Sequence, residues 1–172
     1  MKMKIKYGIV GSGLMGCEHI SNINLIDSAE VVAISDSNEN SINKAKNLIS
    51  NDIKIYSNNN EIFKNNEVDA FIISTPNFTH HDIIKEALKT KKHLLIEKPL
   101  CTKLEDCLEI KKLSTSYPSV IWVAMEYRYM PPVQKMIQEI DSNKIGKLKM
   151  LSIREHRLSL IHISEPTRLP PI

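Results

Sequence analysis

The chain has 172 residues, enough for one ordinary domain and part of another, and its 42% apolar and 25% charged residues are typical of a globular protein. The net charge of +3 is small and charges of both signs alternate along the helical stretches, which argues against a nucleic-acid or anionic-membrane surface. No apolar run reaches the roughly 18 residues of a membrane span, and three cysteines without metal-ligand spacing (Cys17, Cys101 and Cys107) indicate free thiols in the cytoplasm.

In chain order, short runs rich in Val and Ile alternate with longer helical stretches over residues 1–125. Strands are predicted at 4–10, 29–35, 53–56, 70–74, 93–96 and 120–124. Helices are predicted at 14–26, 39–49, 59–64, 80–90 and 103–114. The strands show little polar alternation, as expected when both faces of a sheet are covered, and helical crossovers make neighbouring strands parallel. The pattern therefore predicts an α/β domain with a doubly wound parallel sheet.

Beyond residue 125 the pattern changes to a proline-containing loop, a helix at 133–141 and one long strand at 147–156. We expect residues 126–157 to be the truncated start of a second, α+β domain, because that strand has no later partner in the sequence. The segment 158–172 resembles the translation of a sequencing adapter and is expected to be a non-native tail.

A glycine-rich motif, G-x-G-x-x-G, follows the first predicted strand and opens the first predicted helix. Its residues are Gly11, Ser12, Gly13, Leu14, Met15 and Gly16. At this position Gly11 permits a tight turn, Gly13 lets the backbone approach a pyrophosphate, and Gly16 lets the helix pack closely on the strand. The unpaired N–H groups at the helix start then bind phosphate, so the motif predicts a dinucleotide site.

Asp36 ends the second strand about 20 residues after the motif, where a carboxylate can accept hydrogen bonds from the ribose hydroxyls of the dinucleotide. The same carboxylate would repel a 2′-phosphate, and no Arg follows at 37–39 to offset it. NAD is therefore favoured over NADP. The alternative for Asp36 is a structural turn or helix-cap residue.

Two further motifs close the fourth and fifth predicted strands, at the carboxyl ends where open α/β sheets bind ligands. The first is Ser74-Thr75-Pro76-Asn77-Phe78-Thr79-His80, and the second is Glu97-Lys98-Pro99. Because Lys98 precedes a proline, its backbone is pushed towards an extended conformation and its side chain can leave the sheet edge towards the cofactor. The Lys98–Pro99 bond is a candidate for a cis peptide.

Together the glycine motif, the T-P-N-x-x-H run at 75–80 and the E-K-P run at 97–99 resemble the Gfo/Idh/MocA oxidoreductases, the glucose-fructose oxidoreductase and inositol dehydrogenase type. The segment from Arg128 to Pro131 resembles that family's Arg-x-x-Pro, and the likeness covers about residues 4–157. It implies a Rossmann domain and hydride transfer between NAD and a hydroxyl-bearing carbon of a sugar or cyclic polyol, without a metal. Lys98 corresponds to the family's active-site lysine, which hydrogen-bonds the reacting hydroxyl and helps to move its proton.

The resemblance also implies cofactor contacts near the nicotinamide. These are assigned to Ser74, Thr75, Pro76, Asn77, His80, Glu97, Lys98 and Arg128. For His80 the alternative is a helix-start histidine that faces water, and for Arg128 it is an interdomain ion pair.

The family's second domain supplies the remaining acid/base residues and the substrate contacts, and often self-associates through its sheet. We therefore expect a homo-oligomer for the full-length protein, and NAD binding with negligible turnover for this chain. Two other functions remain open: an NAD-dependent glycosidase of the same fold, and a non-enzymatic NAD-binding sensor. A sensor has no need of Lys98 in its E-K-P setting.

Overall fold

A computed structural model of the chain describes residues 4–153. Within that range the strands are β1 (Ile5–Val10), β2 (Ala29–Ser35), β3 (Lys54–Tyr56), β4 (Ala70–Ile73), β5 (His93–Ile96) and β6 (Ile121–Val123). The helices are α1 (Leu14–Ile23), α2 (Glu39–Lys46), α3 (Asn59–Ile62), α4 (His80–Leu88), α5 (Leu104–Ser114) and α6 (Pro131–Asp141). Short 3₁₀ turns cover Asn77–Thr79 and Glu126–Tyr129.

The six strands form one parallel sheet in the order β3-β2-β1-β4-β5-β6, which confirms the predicted doubly wound fold. The order reverses between β1 and β4, and a ligand crevice lies at the carboxyl ends of strands at such a switch point. Val10 pairs with Ile73, and Ile73 pairs with Ile96. The residues that follow these three strands, where the predicted motifs lie, therefore emerge side by side at one edge of the sheet.

The core lies on both faces of the sheet, as β4 illustrates. All four of its residues are buried. Phe71 and Ile73 belong to one apolar cluster and Ile72 to the other, because successive side chains of a strand point to opposite faces. Phe71 also meets the ring of Phe63 edge to face, with the ring centroids 5.0 Å apart. Burial on both faces explains why the strand sequences show little polar alternation.

The first two helices begin where predicted but end three residues early. Both finish in turns closed by i→i+3 hydrogen bonds, such as Leu25 N–H to Asn22 O and Ile49 N–H to Lys46 O. Such turns satisfy carbonyl groups that the last helical turn leaves unpaired. The side chains of Leu25 and Ile26 are exposed, so burial does not extend α1 any further.

Chain contacts divide the protein into two compact units, with the division between Glu126 and Tyr127. The second unit contains α6, which begins at Pro131, two residues before the predicted start.

The strand predicted at 147–156 is wrong over its described part, because residues 147–153 form no strand. A strand needs a hydrogen-bonded neighbour, and the six-stranded sheet of residues 4–153 does not include this segment. Residues 154–156 and the expected tail at 158–172 lie outside the described residues. Among those described, no helix is both long and apolar enough to cross a bilayer.

A cluster of charged side chains joins α4 to α5 on the protein surface. Lys85 Nζ lies 2.8 Å from Glu109 Oε1, and His81 Nε2 lies 2.7 Å from Glu109 Oε2. The hydrogen bond from Lys85, and then that from His81, lowers the pKa of Glu109 below its ordinary 4.5. A lowered pKa in the folded state means that the carboxylate stabilises the fold above its ordinary pKa and loses this contribution as the pH falls through the lowered value.

We therefore expect Glu109→Gln to reduce the fall in the free energy of unfolding as the pH drops below about 5, because the variant has no carboxylate to protonate. Urea unfolding at a series of acidic pH values measures this slope. Glu105→Gln removes an exposed carboxylate from the same helix, and it should leave the slope that Glu109 causes intact. Parallel curves for Glu109→Gln and the unchanged protein would contradict the prediction.

Candidate functional site

The glycine motif forms a tight turn between β1 and α1, and each glycine has a different surrounding. Gly11 has a φ of +89°, a conformation that suits glycine, and a Cβ there would lie 2.8 Å from the Ser74 carbonyl group. A Cβ on Gly16 would lie 2.2 Å from the carbonyl oxygen of Gly11. A Cβ on Gly13 would meet no atom within 4 Å. Gly11 and Gly16 therefore allow the turn to form, whereas Gly13 leaves open space beside it.

Polar side chains at the ends of β2 and β4, the strands on either side of β1, hold this turn. Asp36 Oδ2 accepts hydrogen bonds from the backbone N–H and the hydroxyl of Ser12, at 2.8 and 3.3 Å. Asp36 Oδ1 accepts from the N–H of Asn38 at 2.8 Å. The Ser74 hydroxyl donates to the carbonyl oxygen of Gly11 at 2.7 Å. Asp36 therefore does act as a turn residue, as the structural alternative supposed. A carboxylate oxygen can accept more than one hydrogen bond, so Asp36 can still accept one from a ligand.

A cleft of about 600 Å³ opens at the sheet edge beside the turn. Eight of the residues predicted from the sequence line it: Gly11, Gly13, Leu14, Met15, Asp36, Ser74, Thr75 and Pro76. A second cleft of about 830 Å³ adjoins it and shares Asn59, Phe78 and Thr79 with it. Asn59 was not predicted, although it begins the helix after β3 and its side-chain oxygen accepts from the Ser35 hydroxyl at 2.9 Å.

The N-terminus of α1 faces this cleft with free backbone donors. The first hydrogen bond within the helix runs from Cys17 N–H to Gly13 O, at 2.9 Å. The N–H groups before Cys17 have no partner within the helix, and Gly13 at the cap position brings no side chain to bond them. No acidic side chain occupies the first turn. Together with the positive end of the helix dipole, these donors suit a phosphate.

The E-K-P run leaves β5 next to this region. Glu97 is 7% exposed, whereas the side chain of Lys98 is 52% exposed and its Nζ lies 4.0 Å from Glu126 Oε1. Glu97 Oε2 accepts the backbone N–H of Lys98 at 3.1 Å, and Glu97 Oε1 lies 2.8 Å from His19 Nε2. The Lys98–Pro99 bond is cis, which confirms that expectation. His19 was not predicted from the sequence, because a single histidine within a helix carries no local signal of what it contacts.

His80 is fully buried between the two motif loops, so the alternative that it faces water is wrong. Its Nδ1 lies 2.8 Å from the carbonyl oxygen of Pro99, and its Nε2 lies 3.0 Å from that of Thr75. Both ring nitrogens therefore face backbone carbonyl groups. Any effect of His80 on a cofactor would pass through the loops that it joins.

Three further predicted residues, Asn77, Thr75 and Arg128, differ in burial and in their place in the fold. Asn77 is exposed in the 3₁₀ turn before α4, and Thr75 is buried with its hydroxyl oxygen accepting from Thr79 Oγ1 at 2.8 Å. Arg128 is exposed and belongs to the second unit of the chain, so its contact with a cofactor stays a prediction.

Metal and cysteine chemistry find little support among residues 4–153. No group of three or more His, Cys, Asp and Glu side chains there is arranged to hold a metal ion. The three cysteines are free thiols. Burial raises the pKa of Cys101 to about 12 and also raises that of Cys17. Because the thiolate is the reactive form, neither of these two thiols is suited to act as a nucleophile.

Comparison with known proteins adds to this geometry. The family described as an oxidoreductase family with an NAD-binding Rossmann fold, GFO_IDH_MocA, matches residues 5–125. The myo-inositol 2-dehydrogenase of Thermotoga maritima is 27% identical over 149 residues, which cover 87% of this chain and 44% of the relative.

Solved structures agree with that match. The myo-inositol dehydrogenase of Lactobacillus casei, in complex with NAD(H) and myo-inositol, has a TM-score of 0.78 at 29% identity, over 84% of this chain and 43% of that one. The WlbA dehydrogenase of Bordetella pertussis, in complex with NADH and UDP-GlcNAcA, has a TM-score of 0.76 at 26% identity, over 83% and 43%. The chain thus spans less than half the length of these proteins.

The two glycines at the start of α1 provide a test of the turn. Gly16→Ala places a methyl group against the Gly11 carbonyl oxygen, and we expect a loss of about 1–3 kcal/mol in the free energy of unfolding. Gly13→Ala is the matched control, because its methyl group enters open space and only a change below about 1 kcal/mol at the helix cap is expected. Urea unfolding followed by circular dichroism measures both, and equal losses would contradict the proposed close contact.

Proposed function

This chain belongs to the Gfo/Idh/MocA family of oxidoreductases with an NAD-binding Rossmann fold, and from that premise we propose that it is the cofactor-binding part of a dehydrogenase for the CH–OH groups of a cyclic polyol or sugar. The observation that carries the proposal is the position of Lys98 at the end of β5, at the same edge of the sheet as the glycine turn that follows β1, with only β4 between the two strands. Lys98, which would contact the reacting oxygen, and the glycine turn, which would bind the cofactor, thus lie at the same edge of the sheet.

The residues at the glycine turn fit NAD. Gly13 leaves room where a pyrophosphate passes, and the free N–H groups of the first turn of α1 point to the same cleft. Asp36 lies in the cleft lining, with one N–H group on Oδ1 and capacity for a ribose hydroxyl. When bound, the nicotinamide ring supplies the acceptor or donor of the hydride.

The charge of Asp36 favours NAD over NADP. A carboxylate in the cleft repels the extra phosphate of NADP, and neighbouring Ser37 and Asn38 in the cleft lining offer no positive charge to offset it. Asp36 also fixes the backbone of Ser12, so its removal affects both the ribose contact and the turn.

Lys98 is the residue to which we assign the proton transfer. In oxidation of an alcohol the carbon loses a hydride and the oxygen loses a proton. Lys98 Nζ, as the neutral amine, accepts a hydrogen bond from the hydroxyl, takes up its proton to become an ammonium group and then passes that proton to solvent; in the reverse reaction the ammonium group donates it. The half-exposed side chain can reach a substrate above the sheet edge. Glu126 Oε1 lies 4.0 Å from Nζ, so its negative charge faces the ammonium group that the proton transfer produces.

The names and titles of the relatives support a proposal for the substrate class. One is named for myo-inositol, and another was solved with UDP-GlcNAcA, so both act on or bind rings that carry several hydroxyl groups. We propose a substrate of the same class, with its selecting residues in the part of the relatives that this chain does not cover. The resemblance also suggests that the complete protein is a homo-oligomer, and the free thiols favour a reducing compartment such as the cytoplasm.

Cofactor choice is tested by calorimetric titration of the chain with NAD and NADP. We expect NAD to bind more tightly than NADP, and Asp36→Ala to weaken NAD binding about tenfold or more, equal to about 1.4 kcal/mol. The same variant should narrow the difference between the two cofactors, because it removes the repulsion of the 2′-phosphate. Ser37→Ala, in the same cleft lining, is the matched control and should keep the preference. Absence of NAD binding by a chain with a folded circular-dichroism spectrum would refute the cofactor site.

The reaction is tested in the complete protein that contains this chain, by polyol-dependent reduction of NAD. Lys98→Met should lower kcat by about 10²–10⁴, the usual contribution of a general acid or base, while the affinity for NAD stays within about threefold. Lys111→Met, on the exposed face of α5, should leave kcat unchanged. Release of sugar from a glycoside without net NAD reduction would instead indicate the glycosidase function.

A further inference from the structure

A largely buried hydrogen-bonded pair, His19 and Glu97, joins the helix after the glycine turn to the loop that carries Lys98. His19 lies on α1, with its side chain 16% exposed, and its Nε2 is 2.8 Å from Oε1 of Glu97, whose side chain is 9% exposed. The two residues are 78 positions apart in the sequence. The contact therefore exists only because the sheet brings α1 and the end of β5 together.

Both oxygens of the Glu97 carboxylate are engaged. Oε1 faces His19, and Oε2 accepts the backbone N–H of Lys98 at 3.1 Å. A buried carboxylate is costly unless it is hydrogen-bonded, so this side chain is held in one orientation by its two partners. Since one of those partners is the backbone of Lys98, the orientation of Glu97 fixes the point from which the lysine side chain leaves the loop.

We propose that His19 is a positioning residue. It acts through Glu97 to hold the backbone of Lys98 at a fixed position relative to the glycine turn. The inference rests on the proposed function, because that assigns the reacting role to Lys98. His19 lies on the same helix as the N–H groups that bind the pyrophosphate, and Glu97 directly precedes the lysine. The pair therefore couples the position of Lys98 to that of the N-terminus of α1, where the cofactor phosphates would bind.

A purely structural role for the pair predicts a different result. If His19 only compensates the burial of Glu97, then its removal lowers the stability of the whole domain without a specific effect at Lys98. A positioning role requires that the Lys98 backbone loosens while the core strands do not. It also requires that a side chain which restores an N–H donor restores Lys98, because the donor and not the ring transmits the position.

The test is amide hydrogen exchange measured by NMR on the chain and on His19→Ala and His19→Gln. We expect His19→Ala to accelerate exchange at the Lys98 amide by about tenfold or more, and to change exchange at Ile9 and Ile72, in the sheet core, by less than about twofold. Glutamine keeps an N–H donor on a side chain of similar reach, so His19→Gln should recover most of the protection. Unchanged exchange at Lys98, or equal acceleration at all three amides, would overturn the proposal.

A kinetic measurement separates this inference from the proposed function. In the complete enzyme, His19→Ala should lower kcat by about tenfold or more while KM for NAD stays within about threefold, and His19→Gln should recover kcat. Equal changes in kcat and KM, or failure of His19→Gln to recover kcat, would overturn the positioning role. If the unchanged enzyme neither binds NAD nor oxidises polyols, the proposed function fails by itself. The exchange result at Lys98 still decides whether His19 positions that residue.

Discussion

The contact between Gly16 and the carbonyl oxygen of Gly11 is the constraint on which the site depends. With no room for a Cβ at that point, α1 can start directly against the end of β1. The helix then directs its free N–H groups to the cleft and, about one turn further along, brings His19 to Glu97. The absence of a side chain at Gly16 thus sets the direction of α1. That helix supplies N–H groups to the cleft and contacts the loop that carries Lys98.

Polar side chains at this edge of the sheet bond backbone atoms before they meet any ligand. Asp36 holds the Ser12 amide, Glu97 holds the Lys98 amide, and His80 lies between two carbonyl oxygens. These contacts fix the loops at the ends of the strands. Preorganisation of this kind lowers the entropy lost when a ligand binds. Lys98 is more exposed than its buried neighbours Glu97 and His80.

The strands and the glycine cleft could be predicted from the sequence because their signals are local. The bounds of β2 and β5 were predicted correctly, since runs of buried apolar residues are bounded there by polar or turn-forming ones. The pair of His19 and Glu97 could not be predicted, because it depends on the register of strands far apart in the chain. The strand prediction was wrong over residues 147–153 for a related reason, since an extended apolar pattern becomes a strand only beside a partner.

Three apolar side chains stand exposed in the lining of the cleft: Leu14 at 87%, Met15 at 40% and Phe78 at 78%. A dinucleotide laid across the switch point would remove part of their surface from water. The loss of apolar hydration gives binding a negative heat-capacity change. The enthalpy of cofactor binding should therefore become more favourable as the temperature rises, even though the phosphate contacts are polar. The cleft thus offers both polar contacts to the phosphates and apolar side chains at its edge. The temperature dependence of the binding enthalpy reports the burial of the apolar side chains.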